Sequence, residues 1–145
     1  MKKVVVLFTA LIVTFTSLYV QAQSSPSLMR LDIKAQSEKS NQVRLYIKFN
    51  RKCDYAYSII EIDKNEEIKS GTHSYRGGED ETKFSHKKLP EGGEARYKLI
   101  VNVRKEYTNT HFGDKINKSG KKTFNHYITV QNVHGDYKIN ISNRR

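Results

Sequence analysis

Beyond Pro26 the apolar residues of this chain recur with a period of two. Met29, Leu31 and Ile33 alternate with Arg30, Asp32 and Lys34, the pattern of a strand with one face on a core and the other in water. Val43, Leu45, Ile47 and Phe49 alternate in the same way with Arg44, Tyr46, Lys48 and Asn50, after a turn-forming Ser40-Asn41-Gln42. Tyr55 to Asp63 reads as a third, more apolar strand, which Lys64-Asn65-Glu66 turns into a fourth around Ile68 to Tyr75. Gly77-Gly78-Glu79-Asp80 breaks the pattern, and Thr82, Phe84 and His86 begin a fifth strand. That strand stops at Leu89-Pro90-Glu91-Gly92-Gly93, because proline cannot donate into a ladder and paired glycines favour a turn. Tyr97, Leu99, Val101 and Val103 share one face of a sixth strand. The polar stretch from Thr108 to Lys122, with Gly113 and Gly120, reads as a long loop before a seventh strand at Phe124 to Val130. After Gly135-Asp136, an eighth strand places Tyr137, Ile139 and Ile141 on its inner face.

Seven to eight short strands with turn signals roughly every 8–12 residues, and no helical period, predict an all-β antiparallel sandwich. The order of signals resembles a fibronectin type III or immunoglobulin-like domain over about residues 26–132. Leu45-x-Ile47-x-Phe49 matches the second strand of that family, and Leu89-Pro90 followed by Tyr97-x-Leu99-x-Val101 matches its corner and sixth strand, with Tyr97 as the corner tyrosine. Phe49 stands where the fibronectin family usually has Trp, and residues 133–145 add a strand the family does not need. The resemblance implies that the first, second and fifth strands form one sheet, and it implies recognition or spacing in place of chemistry. A fold does not fix a function.

The first 22 residues read differently. Met1-Lys2-Lys3 precedes an uncharged, mostly apolar run from Val4 to Val20, and Val20-Gln21-Ala22 offers the short side chains that a signal peptidase accepts. The expectation is a signal peptide at residues 1–22, cleaved after Ala22, and a single exported domain at residues 23–145, periplasmic or secreted. The apolar run is shorter than the roughly 20 residues a spanning helix needs, and no second run of that length follows. Residues 1–22 hold two of the 26 basic residues and none of the 15 acidic ones, so the remainder carries a formal charge of +9. The one cysteine, Cys53, cannot form an internal disulfide, and stability rests on the core alone.

Charge and apolar pattern give two candidate surfaces. On the sheet that the resemblance assembles, Arg30 and Lys34, Arg44 and Lys48, and Lys83 and Lys87 fall on one outward face with Tyr46, opposed there only by Asp32. Cations held within a Debye length of about 8 Å sum their fields, so this face is the expected site for a polyanion, such as an acidic glycan or lipopolysaccharide. The competing pattern is a solvated lysine-rich face, since Lys outnumbers Arg 18 to 8 and sulfate or phosphate recognition favours the Arg fork. Ile60, Ile62 and Ile100 face away from the expected core and mark a second surface, suited to a protein partner of a structural or interaction subunit. No catalytic motif, P-loop or metal-ligand spacing occurs, and His73, His86, His111, His126 and His134 are scattered. The expected function is therefore non-enzymatic binding without a cofactor or metal, and without sequence-specific recognition of nucleic acid.

Overall fold

The computed structural model describes residues 28–110, 113–117 and 121–144. The expected signal peptide at residues 1–22 lies outside the described residues. Nine strands occur among the described residues: β1 (Leu31–Glu38), β2 (Gln42–Phe49), β3 (Cys53–Glu61), β4 (Glu66–Tyr75), β5 (Asp80–Ser85), β6 (Glu94–Thr110), β7 (Gly113–Asn117), β8 (Lys122–Val133) and β9 (Asp136–Ser142). They form two antiparallel sheets, a three-stranded one in the order β1-β2-β5 and a six-stranded one in the order β4-β3-β6-β8-β9, with β7 paired to β6. The all-β fold agrees with the period-two reading, and the architecture is that of a β-sandwich.

The alternating residues decide which faces meet. Val43, Leu45, Ile47 and Phe49 of β2 are buried against Tyr55, Tyr57 and Ile59 of β3, Leu99 and Val101 of β6, and Ile128 and Val130 of β8. Aromatic contacts lock the two layers. The Phe49 ring lies 4.9 Å from that of Tyr55 and 5.3 Å from that of Tyr75, and Phe84 meets Tyr97 at 4.8 Å. Two tyrosines carry polar ends into this core, and each finds a partner across it: the Tyr55 hydroxyl donates to Asp80 at 2.8 Å, and the Tyr57 hydroxyl lies 2.9 Å from that of Thr82.

One expectation needs correction, and the expected last strand, β9, is present with Tyr137, Ile139 and Ile141 packed against the core. The polar stretch at 108–122 is not simply a loop, since β6 continues to Thr110 and β7 pairs back on it from Gly113; Tyr107, Thr108, Thr110 and Ile116 favour extended backbone where polarity suggested none. The last strand is an integral edge of the larger sheet, with Ile139 opposite Val130 and Ile141 opposite Ile128. The hairpin that brings it there turns on His134 and Gly135, both at positive φ (53° and 89°), as a two-residue turn matched to the sheet twist requires.

Candidate functional site

The three-stranded sheet does turn Arg30, Lys34, Arg44, Tyr46, Lys48 and Lys83 away from the core, but its charge is compensated. Arg44 makes ion pairs with Glu38 at 2.8 Å and Glu81 at 3.3 Å. Desolvation works against its charge, and Glu38, Tyr46 and Glu81 outweigh it, raising its pKa. Asp32 lies opposite Lys48, and Glu81 opposite Tyr46. The face is thus opposed by Glu38 and Glu81 as well as Asp32, which corrects the sequence reading: both acids fall on the outward parity of their strands, and only the register brings them to Arg44. Lys87 lies beyond the end of β5, where Lys64 beside it lowers its pKa.

On the outer face of the larger sheet, Ile60, Ile62 and Ile100 are all half-buried. Ile60 lies opposite Lys98, which lies opposite Tyr127, and the Lys98 ammonium sits 5.8 Å from the centre of that ring. Ile60 and Ile62 join Asn65, Lys98 and Tyr127 around an open depression of about 390 Å³. Ile100, opposite Ser58, is not among its walls.

A third region, absent from the sequence reading, lies at one end of the sandwich. Here the β2–β3 turn, the β4–β5 turn and the outer part of β6 with the start of β8 come together, because Cys53 pairs with both Tyr75 and Glu106, and Lys122 pairs with Val103. Arg30, Arg51, Lys52, Arg76, Arg104, Lys105, Lys121 and Lys122 stand at this end against Asp54, Glu79, Asp80 and Glu106. Among the described residues the opposite end is close to balance, with Lys39, Lys64, Lys87, Lys88, Arg96, Lys98 and Lys138 against Glu38, Glu61, Asp63, Glu66, Glu67, Glu91, Glu94 and Asp136.

The basic end is built on a framework of its own. Asp54 accepts hydrogen bonds from the Tyr107 hydroxyl at 2.6 Å and the Ser74 hydroxyl at 2.8 Å, and pairs with Arg76 at 3.1 Å. Burial opposes its ionisation, but Tyr107, Ser74 and Arg76 overcome that and hold its carboxyl below the usual range. The Arg76 guanidinium lies over the Tyr107 ring at 4.4 Å. Arg51 pairs with the buried Glu106, and Lys122 donates to the Met29 carbonyl at 3.1 Å. These contacts fix the turns while Arg104, Lys105 and Lys121 stay exposed beside them. The sequence signal was weak because the cations are spread over five separate stretches between Arg30 and Lys122, which only the topology unites.

Among the described residues, no group of three or more His, Cys, Asp or Glu side chains is arranged to hold a metal ion. No helix among them is long and apolar enough to cross a membrane. No protein-family model matches the chain, and neither a curated protein nor a solved structure matches it.

Proposed function

We propose that this protein is an exported, non-enzymatic binding module of fibronectin type III-like architecture that engages a polyanionic surface, such as an acidic glycan, through the basic end of its sandwich. The pairing of the first, second and fifth strands in one sheet agrees with what the resemblance implies. The observation that carries the reading is a charge polarity among the described residues: eight cations stand with four carboxylates at one end, and seven with eight at the other. Clustered cations at one end of the sandwich sum their potentials within a Debye length of about 8 Å and draw in a polyanion of any sequence. The sheet face offers less, since Arg44 is already held by two carboxylates.

The test compares retention on heparin with retention on a plain cation exchanger across a salt gradient. The purified protein elutes later from heparin, and Arg104→Gln with Lys105→Gln removes that difference. Lys34→Gln with Lys83→Gln, an equal loss of charge on the sheet face, leaves most of it. Equal elution from the two resins, or equal effects of the two variant pairs, overturns the assignment to the loop end.

A further inference from the structure

At the basic end, β6 breaks its own alternation. Leu99, Val101 and Val103 turn inward, so a strict period of two would turn Lys105 inward as well; instead Glu106 is buried, and Arg104 and Lys105 are both exposed. The cause is a β-bulge. Asp54 of β3 lies opposite Lys105 and Tyr55 lies opposite Val103, which leaves Arg104 as an extra residue in β6. A bulge bends its strand and re-aims side chains. Here it puts two consecutive cations on the outer face of the larger sheet, on the same side as Asp54.

The two cations stand at a shallow depression of about 330 Å³, which Asp54, Thr72 and Ser74 line from the neighbouring strands. Asp54 is the carboxylate there, and it is already engaged by Arg76 at 3.1 Å, by the Tyr107 hydroxyl at 2.6 Å and by the Ser74 hydroxyl at 2.8 Å. The charge of Arg104 and Lys105 is therefore left uncompensated, and among the described residues neither they nor Thr72 have a side-chain hydrogen bond or ion pair. His73 also borders the depression, but its ring stacks on the core-facing rings of Tyr55 and Tyr57, 5.7 Å from each. The free donors are thus the Arg104 fork, the Lys105 ammonium and the Thr72 hydroxyl. A guanidinium takes up two oxygens side by side, which uses all that a carboxylate has. A tetrahedral oxyanion keeps a third oxygen for a further donor.

We propose that the Arg104–Lys105 bulge holds a single tetrahedral oxyanion, a sulfate or phosphate monoester group, with both cations on its charge and Thr72 donating to a remaining oxygen. This docking point rests on the reading of the basic end as a polyanion surface, and it narrows the ligand from any polyanion to one that carries such esters.

The experiment is an NMR titration of the purified protein that follows the Arg104 Nε–H and the Thr72 methyl and amide signals at constant ionic strength. The probes are glucose 6-sulfate, glucose 6-phosphate and glucuronate, each with close to one negative charge at about pH 5. At least one ester gives a saturable shift of both residues, with glucuronate about fivefold weaker because it lacks an oxygen for Thr72. The tighter ester names the source, a sulfated or a phosphorylated polymer. Thr72→Val keeps the charge and the strand and brings the esters down to the level of glucuronate. Arg104→Lys keeps the charge and removes the fork, and it weakens all three probes. Glucuronate binding as tightly as both esters overturns the proposal, as does an unchanged preference in Thr72→Val. Later elution from heparin than from the cation exchanger, without a saturable shift from either ester, sinks this docking point and leaves the polyanion reading standing. Equal elution from the two resins with saturable ester binding does the reverse.

Discussion

At the scale of single residues, the interior of this sandwich separates groups that pack from groups that react. Cys53 is fully buried at the start of β3. Burial pushes its thiol pKa up to about 12, and the carboxylates of Asp54, Asp80 and Glu106 add to the effect. Since the thiolate is the nucleophile, the native protein should fail to react with a disulfide reagent at pH 8 and should release one equivalent of thiol only when denatured. Rapid labelling of the folded protein would contradict that environment. A small buried thiol is legible in the sequence here, because Cys53 alternates with Tyr55, Tyr57 and Ile59 and has no CxxC partner. His126 was not legible in the same way. Its position among apolar neighbours matched a core histidine, and only the packing of the strands around it leaves its Nδ1 buried without a partner.

At the scale of elements, alternation made most strands readable, while the joints between them were not. Asn132 illustrates the difference. It is a buried polar residue near the end of β8, at a point where the sequence offers only a single polar residue between Gln131 and Val133. Its side chain donates to the Leu89 carbonyl at 2.8 Å and accepts from the Gly135 amide at 2.9 Å, and its backbone exchanges hydrogen bonds with Gly92 and Gly93. One residue thus ties the Pro90 turn to the β8–β9 hairpin. Asn132→Ala leaves the Leu89 carbonyl and the Gly135 amide without these partners, and we expect a loss of about 2 kcal/mol in chemical denaturation with an unchanged m-value. A loss under about 0.5 kcal/mol would mean that water replaces the amide without cost. Such a tie joins residues 43 positions apart, a separation no local period encodes. The extension of β6 past Val103 was missed for a related reason. Alternation reports burial on a core, and a strand whose outer partner is a hairpin need not alternate.

At the scale of the whole molecule, the net charge could be read from composition, but its direction could not. The outward cations of the three-stranded sheet looked like an organised basic face until register placed Glu38 and Glu81 on either side of Arg44. The loop end acquired its excess because two turns, the outer part of β6 and the start of β8 converge there, a consequence of strand order alone. This polarity has a thermodynamic consequence besides retention on a resin. A ligand that binds the folded state and not the unfolded one stabilises it by RT ln(1 + [L]/Kd), about 2.7 kcal/mol at a hundredfold excess over Kd. The unfolded chain keeps the same net charge but loses its convergence, so soluble heparin at low salt should raise Tm by several degrees. The increment should shrink steeply with added salt, as counterion screening shortens the reach of each cation. Arg104→Gln with Lys105→Gln should cut the increment by more than half, and Lys34→Gln with Lys83→Gln should leave it nearly intact. A Tm that falls on adding heparin would mean that the polyanion prefers the unfolded chain, and that the converged geometry adds nothing to its charge.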